Sequence, residues 1–434
     1  MACPTGSHDN TASEQEQESA FTEIGRGTFG IIFTDASSLD NNRILKRTLV
    51  PNVDPHNWLE NDAYWHERIY HTFAFASHSQ ASNLNLNLPN VPEYHGVHGV
   101  RSEWWSFWGR VPWRFMDSEQ ASSMYAETSP VLSAQRIPPV NYATRSALLR
   151  AFFPDMPAEV RRATLESGWN GASLLRVYFG ESESNSNHTS QIRTRVRCGG
   201  EEGDEGEEVL IPNLRNFPLN RTRLKEALRS TDYEDVIKSM AGAMAALHWD
   251  VGCDGRDCEF VFGGVQPTIS TDHDVSVGAS VSVSADYSTR EGERKGRTFK
   301  LFGQHEVEMW LLDFNQVTSI TCDEAGIHKA VLGLLENDPY PPKPGWDGDS
   351  KDWEVFRGEY LGVSRAILER DLAAAEGEGV AVLKLPGMVM TGVERRHGLN
   401  DYQQLFGSDG STGEWGPISF LEQLLGYLYW VVGA

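Results

Sequence analysis

Four carboxylates of this chain stand at positions where they could act together. Cys253-Asp254-Gly255-Arg256-Asp257-Cys258-Glu259 runs into the apolar segment Phe260-Val261-Phe262-Gly263, and Asp313-Phe314-Asn315 closes a second apolar segment, Trp310-Leu311-Leu312. Carboxylates brought together repel one another, so Asp254, Asp257, Glu259 and Asp313 need a cation or a proton to coexist. An oxygen-only magnesium site is one solution. A cationic substrate is another: a guanidinium offers planar donors that match a carboxylate two at a time. A carboxyl with a raised pKa could also serve as general base toward an amine. The plainest alternative is that these acids cap a loop and do no chemistry. His248, Cys253 and Cys258 lack a fourth ligand at zinc spacing, so no metal is assigned. The neighbouring acids also count against either thiol as a nucleophile.

A second set lies near the start. In Gly25-Arg26-Gly27-Thr28-Phe29-Gly30, Gly25 and Gly27 leave room for backbone amides to approach a phosphate. Lys46 follows at strand spacing, and Glu60, Asp62 and Glu67 fall in the helical pattern after it. Of these, Asp62 is the first choice as its partner.

The elements that must position these groups are legible in outline. Residues 1–20 are polar and expected to be disordered. Strand, glycine turn, strand, strand, helix and strand follow over 21–100, with the helix at Trp58–Phe75 carrying Leu59, Tyr64, Ile69 and Phe73 on one face. Residues 101–434 read as mainly helical. Within them 98–170 is irregular and rich in tryptophan, Ser173–Phe179 is a strand, and insertions fall at about 180–208 and 264–300. An exposed hairpin is expected over Asp274–Tyr287. The last apolar run, Phe420–Val432, is too short to span a membrane and reads as a packed helix.

At 434 residues the chain can bury a large core, and its net charge of −23 disfavours indiscriminate binding to phosphate backbones. Part of that charge sits in Asp9, Glu14, Glu16 and Glu18 and in the acidic run 201–208, but the remainder is still acidic. Five cysteines make no even disulfide framework, and no secretory signal is seen, so a cytoplasmic protein is expected.

The order of elements resembles the protein kinases, which place a strand lysine against a helix acid and two further metal-binding residues after the catalytic loop. The resemblance implies an α+β, kinase-like two-lobe fold with insertions. Departures are substantial. No His-Arg-Asp precedes Asp254, Glu259 stands at the usual Asn, and Asn315 stands at the usual Gly.

A closer resemblance rests on Leu132-Ser133-Ala134-Gln135-Arg136-Ile137-Pro138-Pro139, Leu175-Arg176-Val177-Tyr178-Phe179-Gly180 and Leu214-Arg215-Asn216-Phe217-Pro218-Leu219. It continues through Met244–Trp249, Asp254–Gly263, Trp310–Asn315 and Asn337-Asp338-Pro339-Tyr340. Over roughly residues 21–375 the chain is similar to a fungal family long labelled zinc-finger-like, some of whose members are arginine-containing cyclodipeptide synthases. That implies a cyclo(Arg-Xaa) diketopiperazine made from arginyl-tRNA and a second aminoacyl-tRNA, with no cofactor and no ATP. Asp254, Asp257, Glu259 and Asp313 would be catalytic. Lys46, Asp62, Gly25, Gly27 and Asn315 would line the substrate site. Arg290, Arg294, Lys295 and Arg297, or else Arg221, Arg223, Lys225 and Arg229, would hold tRNA phosphates. An ATP-dependent phosphotransferase and an inactive kinase-like binding protein are the competing expectations.

Overall fold

The computed structural model describes residues 21–27, 30–35, 42–48, 58–75, 87–99, 101–105, 113–114, 130–180, 193–198, 207–265, 297–337, 339–345, 350–374 and 382–406. The architecture is mixed α+β: two main sheets, one two-stranded hairpin and eight α-helices among these residues. The chain divides into two compact units, residues 1–393 and 394–434. The site lies in the first.

The first sheet begins with β1 (Phe21–Arg26), β2 (Gly30–Asp35) and β3 (Arg43–Thr48). Phe21, Ile31, Phe33 and Leu45 are buried, as expected of a sheet with one face on a core. Helix α1 (Trp58–Phe75) follows and buries Leu59, Ala63, His66, Tyr70 and Phe73 at three- and four-residue spacing, with Ile69 beside them, whereas Tyr64, expected on that face, is exposed. Strands β4 (Tyr94–His98), β5 (Trp113–Arg114) and β6 (Val131–Gln135) complete the order β4-β6-β3-β2-β1-β5. The first sheet therefore does not end near residue 100. Strand β6 pairs with β3 and β4, and its run Val131-Leu132-Ser133-Ala134 is buried at every position. Burial on both faces removes the alternation that marks a half-exposed strand in a sequence.

Nor is 98–170 irregular throughout. Helix α2 (Tyr142–Phe152) is capped by Asn141, whose side chain accepts from the Thr144 amide at 2.9 Å, and α3 (Ala158–Glu166) follows.

The second sheet has the order β10-β7-β11-β13-β12, formed by β7 (Leu175–Val177), β10 (Phe217–Leu219), β11 (Glu259–Gly264), β12 (Thr298–Leu301) and β13 (His305–Leu312). The acidic stretch expected as a plain loop over 180–208 contains β8 (Arg193–Cys198), which pairs antiparallel with β9 (Glu207–Pro212). The Asp274–Tyr287 hairpin and the Phe420–Val432 run lie outside the described residues.

Helices α4 (Arg221–Ala227) and α5 (Ser230–Ala246) precede β11, and α6 (Glu324–Glu336), α7 (Ser350–Ala374) and α8 (Leu385–Phe406) follow β13. Their apolar faces form one core with the second sheet, in which Phe260, Phe262, Phe314, Phe356 and Tyr360 are fully buried. Among the described residues, no helix is long and apolar enough to cross a membrane.

Hydrogen bonds tie the segment after α1 to the second sheet and α1 itself to the end of α5. Asn90 donates its amide to Met309 and accepts from the Leu311 amide, both at 2.8 Å. Arg68 of α1 donates to the Val251 carbonyl at 3.0 Å, at the π-helical turn Leu247–Val251 that ends α5.

Candidate functional site

Strand β3 carries Lys46 and helix α1 carries Asp62. The Lys46 ammonium stands 2.6 Å from Asp62 Oδ2 and 2.9 Å from Asp313 Oδ1. Burial works to lower its pKa, but Asp313 and Asp62 together outweigh burial and hold it far above the ordinary lysine range. Asp62 also accepts from the Phe314 amide at 3.2 Å. Asp62 is thus the helix acid that faces Lys46, and the two bind the segment after β13 to the first sheet.

Asp313 comes directly after β13, and Glu259 begins β11. The antiparallel register pairs Glu259 with Leu312, which sets Glu259 beside Asp313. Glu259 Oε1 lies 2.6 Å from Arg176 Nη1 of β7. Arg176 is paired with Val261, two residues from Glu259 and therefore on the same face of β11. The same guanidinium donates to the Tyr340 hydroxyl at 3.1 Å, and Tyr340 packs edge-on to Tyr178 at 5.1 Å.

Burial pushes the Glu259 carboxyl up to about 7. Arg176 opposes the rise, while Asp313 and Asp257 add to it. Asp257 is raised too, by burial and then by Asp313, although it accepts from Gln316 Nε2 at 2.6 Å. Asp257 and Asp313 both sit at left-handed backbone angles, φ 62° and 64°. That region is costly for residues other than glycine, and such strain gathers at functional sites. Three of the four predicted acids, Asp257, Glu259 and Asp313, therefore act on one another across a small space.

Asp254 does not join them, which corrects its expected place among the catalytic acids. Its side chain is 4 % exposed and is turned into the backbone after Asp313. Oδ1 accepts from the Thr318 amide at 2.9 Å and the Arg256 amide at 3.2 Å, while Oδ2 accepts from the Thr318 hydroxyl at 2.7 Å. Its own amide donates to the Thr318 carbonyl at 3.0 Å. Gly333 of α6 closes the other side, where an added Cβ would lie 2.2 Å from the Asp254 carbonyl oxygen. Asp254 is a clamp between two loops.

His248 supports that clamp. One ring nitrogen is 2.7 Å from the Tyr360 hydroxyl and the other 3.3 Å from the Asp254 carbonyl, and burial lowers its pKa to about 4, so the ring is neutral. Cys253 and Cys258 are fully buried, and burial raises both thiols, which removes them as nucleophiles.

The glycine turn is closed by the Gly27 amide donating to the Gly30 carbonyl at 2.8 Å. Gly25 has a packing reason of its own: an added Cβ would meet Ile32 at 3.3 Å and an Arg215 guanidinium nitrogen at 3.4 Å. Arg215 lies 4.2 Å over the Trp169 ring, and burial, partly offset by Glu23, lowers its pKa to about 10. Asn315 is 3 % exposed, its side-chain carbonyl has no hydrogen-bond partner among the described residues, and Asn61 holds its backbone carbonyl at 2.8 Å.

Of the expected tRNA contacts, Arg290, Arg294 and Lys295 lie outside the described residues. Arg297 is ion-paired with Asp235 and stacked over Phe299. The alternative set makes contacts within the protein. Arg221 and Lys225 reach Asp352 at 2.9 and 3.8 Å, Arg229 reaches Asp232 at 3.0 Å, and Arg223 donates to Pro218 and covers Phe217.

Sequence reasoning gave no role to Arg176, Tyr178 or Tyr340. All three stand in segments that carry the family resemblance, Leu175–Gly180 and Asn337–Tyr340, but nothing in those segments states a role.

A family model described as "Zinc finger protein" matches residues 309–372. That segment supplies one cysteine and one histidine, Cys322 and His328, too few for a tetrahedral zinc site. Among the described residues no three His, Cys, Asp or Glu side chains form a metal-binding group. The zinc chemistry in that description therefore does not fit these residues. No curated protein and no solved structure matches the chain.

Proposed function

We propose that this protein is an arginine-containing cyclodipeptide synthase, joining arginyl-tRNA and a second aminoacyl-tRNA into a cyclo(Arg-Xaa) diketopiperazine. One observation carries the reading. Asp257, Glu259 and Asp313 converge beside two cations among the described residues, Lys46 and Arg176, and the Glu259 carboxyl is raised to about 7. The cluster keeps residual negative charge suited to a guanidinium or an ammonium, and it holds a carboxyl that can accept a proton at working pH.

The chemistry needs little else. Glu259 takes a proton from the α-ammonium of one aminoacyl ester, and the free amine attacks the carbonyl of the other. The first amide bond forms, one ester bond breaks, and that tRNA leaves with its hydroxyl protonated. The second amine then attacks the remaining ester, closing the ring and releasing the second tRNA. Two amide bonds replace two ester bonds, so no phosphoryl donor or oxidant is required. Holding both esters in one site makes the attack effectively intramolecular. Asp257 and Asp313 supply charge for the cationic groups, and Asp254 keeps the two acid-bearing loops in register.

On this reading the architecture is a kinase-like two-lobe scaffold. The glycine turn between β1 and β2, the Lys46–Asp62 pair and the placement of Asp313 after β13 support it. A cytoplasmic setting accompanies it, since charged tRNA is the substrate.

A second reading, ATP-dependent phosphotransfer, is favoured by Lys46 bridging Asp62 and Asp313, as a phosphate-binding lysine would. One assay separates the two. The purified protein is incubated with charged tRNAs, without ATP, and cyclo(Arg-Xaa) is sought by mass. Product, and its loss in Glu259→Gln and Asp257→Asn, is expected. Absence of product with every second aminoacyl-tRNA, together with phosphate transfer from ATP, overturns the proposal in favour of the second reading.

A further inference from the structure

Glu259 could meet a substrate only if something sets its position and its charge. The groups facing it come from four places in the chain. Asp257 lies in the preceding loop and Asp313 follows β13, and both act against its ionisation. Arg176 reaches it from β7 at 2.6 Å. Tyr340, from the turn after α6, lies behind Arg176 at 3.1 Å with Tyr178 packed against it. The tyrosines are 5 % and 9 % exposed, whereas the Arg176 and Glu259 side chains are 25 % and 16 % exposed. Arg176 and Glu259, with Asp313 at 27 % exposed beside them, therefore present a face to an incoming molecule, and the tyrosines stand as a wall behind them.

We infer that Arg176, braced by Tyr340 and Tyr178, is the positioning residue that orients Glu259 and keeps it able to accept a proton. Geometry gives three grounds. The guanidinium has one route to Glu259, across the β7–β11 pairing, and that pairing is fixed by register. Tyr340 is anchored through its backbone: the Phe179 amide donates to its carbonyl at 3.1 Å, which ties the turn after α6 to the end of β7. Arg176 is also the cation directly paired with Glu259, because Lys46 is engaged by Asp62 and Asp313. Without Arg176, Glu259 would face burial and two acids with no direct counter-charge, and it would hold its proton through neutral pH. The arginine donates several N–H groups in a fixed fork, so it can serve Glu259 and Tyr340 at once, which a lysine does less well.

The proposal rests on Glu259 being the base of the reaction above, and its test has an arm that does not. In the protein alone, the Glu259 carboxyl is titrated by carbon-detected NMR on labelled glutamate or by the carboxyl infrared band, assigned with Glu259→Gln. The expected midpoint near 7 rises by at least one pH unit in Arg176→Gln. It rises less in Arg176→Lys and in Tyr340→Phe, which removes a single hydroxyl. In the cyclisation assay, the acidic limb of the kcat/KM profile moves by the same amounts. Activity at pH 7 falls about fivefold or more in Arg176→Gln and recovers toward pH 9. Arg176→Lys and Tyr340→Phe decide the matter if Arg176→Gln does not fold. An unchanged Glu259 titration in folded variants overturns the role of Arg176. A shifted titration in a protein that makes no dipeptide supports Arg176 and removes the synthase reading instead.

Discussion

Asp254 gives both carboxylate oxygens to Thr318, one to its amide at 2.9 Å and one to its hydroxyl at 2.7 Å. The pair joins the loop before β11 to the segment after β13, and so governs the distance between the loop that bears Asp257 and the one that bears Asp313. Hydrogen bonds to a buried charge contribute about 1.5–3 kcal/mol each way they are broken. Asp254→Asn and Thr318→Val are each expected to lower stability by roughly 2 kcal/mol, and the double variant by much less than the sum. Urea unfolding of the four proteins measures this. Additive losses would mean that the two residues act separately.

Lys46 holds Asp62 and Asp313 on either side of one ammonium. Lys46→Met leaves two carboxylates facing each other, one of them buried, and is expected to cost on the order of 3 kcal/mol at pH 7. Protonation relieves the repulsion, so the deficit should shrink as pH falls through the carboxylate range. Thermal melts at pH 7 and pH 4 test the sign. A deficit that grows on acidification would contradict the arrangement.

Glu259 gives a pH signature of opposite sense to a salt-bridged acid. Its folded pKa of about 7 lies above an unfolded value of about 4.3, so the folded state binds the extra proton between those two. Stability from this group is therefore unaffected below about pH 4, declines as pH rises through the window, and levels off above 7. Relative to Glu259→Gln, the wild-type melting temperature should fall between pH 5 and pH 8. A flat difference across that range would show that Glu259 titrates as an ordinary carboxylate.

Asp257 pays a backbone cost at φ 62° that glycine would not. Asp257→Gly should be more stable than Asp257→Ala by about 1 kcal/mol, because alanine keeps the left-handed penalty. Both should lose dipeptide formation equally, since both lack the carboxylate. Equal stability of the two variants would remove the strained backbone from the account.

Much of the scaffold could be read from the chain alone. The Trp58–Phe75 helix announces itself by apolar spacing, and β1 to β3 by short apolar runs around glycine. These are local properties, in which neighbours along the chain share one environment. Strand β6 was hidden because it is buried on both faces and so does not alternate. Helix α2 lay inside a stretch read as irregular, although Asn141 carried a capping signal.

The acids divide along the same line. The resemblance to the kinase order of elements implied that Asp254, Asp257, Glu259 and Asp313 would lie near one another, and their residue types implied that they would then need compensation. Which of them faces the site was decided by tertiary structure alone. The register of β11 on β13 sets Glu259 beside Asp313. Thr318, 64 residues from Asp254 along the chain, draws that carboxylate away. Arg176 arrives from β7 and Tyr340 from a turn beyond α6, and no spacing along the sequence encodes their meeting. A carboxylate's pKa depends on every charge within a few ångströms, and those neighbours come from parts of the chain that only folding brings together.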